Sequence, residues 1–165
     1  MPTPACATSP TRRPSPANLY HYFSGKDEIL FYCQDRALDR MLAAVGRARR
    51  LPTADARVQT VLTTHVLTLL DDVEGATAHL RWRHLRPSIG IESCASGDRY
   101  ERALRRLVAD GMADGSFASA DAGLVTRAML GSLNWSVTWY RRDGAWPPAR
   151  VAEAMVAYLL AGLRP

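Results

Sequence analysis

The sequence predicts an all-α fold, and three observations carry that prediction. After Pro16, apolar residues recur three and four positions apart, and no segment shows the strict alternation of a half-buried strand. The turn signals, among them Leu51-Pro52, "DDVEG", Pro87 and "RRDGAWPP", fall at helical rather than strand intervals. With 165 residues the chain is long enough for one well-buried domain with a small appendage.

The elements follow in order. Residues 1–14 read as a disordered leader, rich in Pro, Ser and Thr and poor in large apolar side chains. A short helix starts at Ser15, with Pro16 in its first turn, and ends near Phe23. Ser24 caps the next helix, whose Asp27 and Glu28 suit the positive end of its dipole. Ile29, Leu30, Cys33, Ala37, Met41, Leu42 and Val45 lie along one side of it, and it should run to about Arg49. Thr53 caps a third helix carrying Val58, Leu62, His65, Val66 and Leu69, which breaks near Asp72. A fourth, short helix spans Ala76 to Leu85. "PSIGIESCASG" reads either as loop or as an early start of the following helix, whose pattern is clear from Asp98 through Tyr100, Leu104, Leu107, Val108 and Met112.

Two final helices say most about architecture. Asp121 to Arg141 would be roughly 30 Å long. One stripe holds Leu124, Ala128, Gly131, Trp135 and Trp139; a second holds Leu130, Leu133, Val137 and Tyr140. Two apolar faces require two packing partners. Val151 to Leu163 has one charge, Glu153, and is too short to span a bilayer, so it must be buried in protein. The simplest burial is against a second copy, two helices from each subunit forming a four-helix bundle. Ala128, Gly131, Trp139, Met155 and Leu159 are the expected interface residues.

Composition narrows the function. The net charge of +5 permits contact with a polyanion, although the basic residues are spread along the chain. Lys26 is the only Lys. The three Cys are far apart, which points to reduced thiols in a cytoplasmic protein. No apolar run approaches a membrane span, and no apolar signal segment precedes the helices. There is no Ser-His-Asp pattern, paired carboxylate, Gly-rich phosphate loop or dinucleotide fingerprint, so neither an enzyme nor a cofactor is expected.

The stretch "SPANLYHYFSGKDEIL" carries the chemistry. A short helix presents Asn18, Tyr20, His21 and Tyr22, all able to hydrogen-bond, while Leu19 and Phe23 face inward. A new helix then opens with Lys26 in its first turn, beside free backbone N–H groups. Such a place seats a phosphate; equally, the aromatics could fill a helix corner and leave Lys26 solvated. The stretch resembles the end of the helix-turn-helix in the TetR family of transcriptional repressors, matching its Leu-Tyr, aromatic or His pair, Phe and Lys at Leu19, Tyr20, His21, Tyr22, Phe23 and Lys26. The resemblance implies phosphate contacts from Tyr20 and Lys26, and reading or positioning roles for Ala17, Asn18, His21 and Tyr22. "RYERALRRLVADGMADGSF" and "GSLNWSVTWYRRDG" are similar to the ligand-binding and dimerisation half of such regulators.

The resemblance therefore implies a TetR-like fold: a recognition-helix remnant and connecting helix over residues 15–49, then a ligand-binding and dimerisation domain over residues 50–165. It implies a homodimeric repressor that binds operator DNA and is released by a small apolar or acyl-type ligand. Family members have two further helices before the recognition helix. "MPTPACATSPTRR", with Pro2, Pro4 and Pro10, cannot supply them, so a truncated chain with weakened DNA binding is expected. The alternative is a stand-alone helical module that binds a ligand and dimerises without touching DNA.

The remaining candidates concern the ligand. His65, Leu69, Trp82, Leu104, Asn134 and Trp135 are the expected pocket residues. A core His65 bonded to a backbone carbonyl is expected before a ligand-contacting one, and Asn134, Trp135 and Trp139 are expected to pack the dimer before they line a pocket. In "HLRWRHLR", His79 and His84 do not share a helix face and no carboxylate or Cys completes a metal set. A solvated basic face with Trp82 inward is expected there, with an acyl-CoA phosphate site as the alternative.

Overall fold

The computed structural model describes residues 26–71 and 87–165, which form five helices: α1 (Lys26–Ala48), α2 (Ala54–Asp71), α3 (Pro87–Ala113), α4 (Ala122–Trp139) and α5 (Pro148–Ala161). There is no strand among these residues. The expected short helices at 15–23 and 76–85 lie outside the described residues. "PSIGIESCASG" resolves as helix: α3 starts at Pro87, where a missing N–H costs nothing in a first turn.

Local chemistry sets the helix ends. Thr53 Oγ1 accepts from Ala56 N at 3.2 Å to open α2, and Arg57 Nε donates to Leu51 O at 2.7 Å across the bend from α1. Asp121 Oδ1 accepts from Leu124 N at 2.8 Å to cap α4; that bond holds its carboxyl below the usual carboxylate range. Pro148 sits in the first turn of α5. After α3 the chain reverses through Gly115, whose φ of 79° a side chain would resist. Phe117 N then donates to Gly111 O at 2.8 Å, which lays the Phe117 ring over Gly111. A Cβ at Gly111 would collide with that ring and meet Ala54 Cβ at 2.9 Å, so glycine is what lets α3 and α2 approach here.

α2 is the centre of the fold and packs against all four other helices. Its Val58, Val61, Leu62, Val66 and Leu70 are fully covered, together with Leu104 and Val108 of α3, Leu133 of α4 and Val151, Val156 and Leu160 of α5. Burying side chains of this size stabilises a fold by about 1.5–3 kcal/mol each before entropy is counted. Ala118 N donates to Leu163 O at 2.7 Å, tying the chain after α5 to the α3–α4 connection. Arg142 Nη2 donates to Asp71 O and fastens the loop after α4 to the end of α2.

The two stripes on α4 divide as two packing faces should. Leu133, Val137 and Tyr140 are buried and Leu130 is half-buried, whereas Leu124, Ala128, Gly131, Trp135 and Trp139 face outward. α5 is buried on one side only. Val151, Ala152, Val156 and Leu160 turn inward, while Ala154, Ala157, Tyr158 and Ala161 are exposed.

Candidate functional site: a buried polar cluster beneath an exposed apolar face

Three polar side chains from three helices meet in the apolar interior. His65 of α2 lies 3.0 Å from the Tyr100 hydroxyl of α3 through Nδ1, and 3.0 Å from Asn134 Oδ1 of α4 through Nε2. The His65 and Tyr100 rings stack, with centroids 5.5 Å apart and planes 28° from parallel. Burial drives the imidazole pKa from 6.5 down to about 4, against a smaller opposing effect of the bond to Asn134. Burial also raises the Tyr100 pKa. At neutral pH all three groups are therefore uncharged. Asn134 Oδ1 can only accept, so Nε2 carries the proton and donates to it, and Nδ1 accepts from the Tyr100 O–H.

The sequence places His65 on an inner stripe with a backbone carbonyl as its expected partner. Inside a helical core the carbonyls are already engaged by their own helices, and the ring bonds side chains on α3 and α4 instead. Tyr100 is the residue that sequence reasoning missed, because it reads as one more apolar member of the stripe with Leu104 and Leu107. The available signal was its hydroxyl: a buried Tyr requires a hydrogen-bond partner, and His65 is the polar residue on the inner stripe of the helix alongside. Ser136, two residues beyond Asn134, was also missed. It is fully buried, and its Oγ has no partner among the described residues.

Of the expected pocket residues, the structure brings His65 and Asn134 into contact, buries Leu104 in the same core and leaves Leu69 half-buried against it. Trp135 is placed elsewhere. It is 64% exposed on the outer face of α4, one position from Asn134 but away from His65. Trp82 lies outside the described residues. So do Ala17, Asn18, Tyr20, His21 and Tyr22, while Lys26 is the first residue of α1.

The outer face forms a second feature. Leu124 (69% exposed), Trp135, Trp139 (48%) and, on α5, Tyr158 (81%) are large apolar groups left to solvent. Ala128 and Gly131 lie between the α4 members of this set, and both are exposed. Of the remaining expected interface residues, Met155 and Leu159 are half-buried on α5. Beside them runs a groove of about 380 Å³ lined by Val125, Ala128, Met129, Ser132, Tyr158 and Leu159, among others. Scattered apolar side chains on a surface are ordinary; a contiguous aromatic-rich face is not. Among the described residues no group of side chains could hold a metal ion, and no helix is long and apolar enough to cross a membrane.

Comparison with known proteins follows the same outline. Residues 52–163 match the family model described as the tetracyclin repressor-like C-terminal domain. The crystal structure of the TetR family transcriptional regulator PfmR from Thermus thermophilus is 30% identical; the match covers 92% of this chain and 84% of that one, with a TM-score of 0.78. A TetR/AcrR family regulator from Thermobifida fusca is 26% identical over 90% of this chain and 80% of its own, with a TM-score of 0.74. AibR, solved in complex with isovaleryl coenzyme A and operator DNA, has the same fold at 20% identity, covering 87% and 80% of the two chains with a TM-score of 0.69. No curated protein matches the chain.

Proposed function

This chain belongs to the TetR family of transcriptional regulators and carries that family's C-terminal ligand-binding domain, and from that premise we propose that it is a cytoplasmic, homodimeric repressor that reads operator DNA and is released by a small ligand. The observation that supports this reading is the double use of α4. Asn134 points inward to His65, and the next residue, Trp135, points outward on an apolar face. A ligand that rearranges the buried cluster moves the helix that carries the face.

The occupant of that face is a second copy of the chain. Ala128 and Gly131 offer a shallow centre flanked by Leu124, Trp135 and Trp139, and the neighbouring groove admits a side chain of the partner. A two-fold axis through such a patch satisfies both copies at once. A stable association of this kind removes about 1,200–2,000 Å² from water. Ala128, Gly131, Trp135, Trp139, Met155 and Leu159 form this interface.

The ligand is small and apolar or acyl-type, the class to which the isovaleryl coenzyme A of AibR belongs. A polar group on it exchanges for one bond of the His65–Tyr100–Asn134 cluster. The Asn134 amide N–H₂ is a donor that the bond to His65 does not use. Because binding is worth only its difference between two states, the ligand acts by favouring the arrangement of α4 unsuited to DNA. The DNA contacts fall to Ala17, Asn18, Tyr20, His21, Tyr22 and Lys26, with α1 as the lever between them and the ligand domain.

The test is fluorescence anisotropy with duplex from the gene's own upstream region, compared with a scrambled duplex at two salt concentrations. The expected result is binding that prefers the upstream duplex at both salt concentrations, weak as the sequence of residues 1–14 predicts. Lys26→Ala should weaken it about tenfold further and uniformly across sequences, as loss of a phosphate contact worth about 1.4 kcal/mol requires. Binding that ignores sequence and vanishes at higher salt contradicts the operator reading and leaves a dimerising ligand module without DNA activity.

A further inference from the structure

Away from both features just described, a groove of about 370 Å³ opens between α1 and α3. Its walls carry four guanidinium groups. Arg99, Arg102 and Arg106 recur three and four positions apart on one face of α3, and Arg49 stands across from them just beyond the end of α1. Its floor is Leu42, Val45, Gly46 and Ala103. No acidic side chain lines it, and none of the four arginines has a carboxylate within 4.0 Å among the described residues; the ion pairs there are Arg127–Glu101 and Arg164–Asp55. Arg99 bonds the Ser96 hydroxyl at 3.1 Å and no anion.

We propose that this groove is a binding site for a small ligand bearing two or more phosphate groups. The site goes beyond the operator and ligand reading above and does not rest on it. Like charges three and four apart weaken a helix, and folding adds a fourth from α1. A phosphorylated ligand reverses that penalty. Guanidinium forks match phosphate oxygens two at a time, and a cleft lined by one sign of charge concentrates the opposite ion. The volume fits a small molecule, since such sites measure about 300–1,000 Å³. The apolar floor gives the body of a nucleotide a surface to lie on. The duplex is a poor occupant, because Leu42 is about 24 Å along α1 from Lys26.

Calorimetric titration of the full chain with pyrophosphate and with ADP tests the assignment. Saturable binding of both at one site per subunit is expected. ADP tighter than pyrophosphate assigns the site to a nucleotide, and equal affinity assigns it to free polyphosphate; both support the proposal. The double variant Arg102→Ala/Arg106→Ala should bind each at least tenfold more weakly. Gly46→Leu separates the groove from general charge. A Cβ there meets nothing within 4 Å, so this variant should fold and keep all four arginines while filling the floor, and ADP binding should be lost. Three outcomes overturn the proposal: no saturable binding of either ligand, binding unchanged in Gly46→Leu, or the same loss from Arg164→Ala, which lies outside the groove. Duplex DNA displacing ADP from the wild-type groove, and losing its own affinity in Gly46→Leu, also overturns it in favour of nucleic acid.

Discussion

The double variant Gly131→Arg/Trp135→Glu is expected to sediment as a monomer at concentrations where the proposed wild-type dimer forms, with its helical circular dichroism unchanged. Both positions are exposed in the single subunit, so the substitutions cost the isolated fold little. Gly131 has nothing within 4 Å of where its Cβ would lie, so Arg fits there in one subunit and clashes only against a second. At a two-fold interface each substitution is felt twice, and burying charged side chains in an apolar seam carries a large desolvation cost. The expected weakening exceeds about a thousandfold, or about 4 kcal/mol. A double variant that remains dimeric places the interface elsewhere, and a variant that unfolds assigns the outer stripe of α4 to the subunit's own core.

The second large effect is on pH. His65 takes up its proton at about pH 4 in the folded chain and at about 6.5 when unfolded. Between those values the unfolded chain binds more protons, so stability falls as the pH falls. Each pH unit in that window is worth up to about 1.4 kcal/mol, giving a loss on the order of 3 kcal/mol from pH 6.5 to pH 4. Urea denaturation across this range measures it. His65→Gln keeps a hydrogen-bonding side chain but cannot titrate there. The difference in slope between wild type and variant isolates the imidazole from the carboxylates, whose titration the two share. Parallel curves would mean that the imidazole is hydrated or already charged in the folded protein.

Most of the architecture was legible because it rests on patterns a single chain carries. The bend at Leu51-Pro52 and the cap at Thr53 each lie within a few residues of the groups they satisfy. The α3 start was ambiguous because Gly90, Gly97 and the small polar residues between them blur the apolar period. Packing against α1, α2 and α4, which no local window contains, supports one continuous helix. On α4 both stripes were visible, but periodicity does not say which one meets α2 and α3 and which is left exposed. The site was harder still. His65 and Asn134 were both expected near the ligand, yet their direct bond spans 69 positions of sequence, and Tyr100 enters through a hydroxyl that apolar periodicity treats as carbon.

The most direct test of the link between the buried cluster and the outer face is the dimer dissociation constant of His65→Gln, measured by sedimentation equilibrium beside the wild type at neutral pH. His65 lies on α2 and is buried, so a change in dimer affinity must reach the interface through the helices packed on α2, among them α4 through the bond to Asn134. The account predicts a shift of about fivefold or more, the lower end of coupling energies near 1 kcal/mol. Identical dissociation constants in a variant that folds would contradict it, leaving His65, Tyr100 and Asn134 as a satisfied core with no line to the interface.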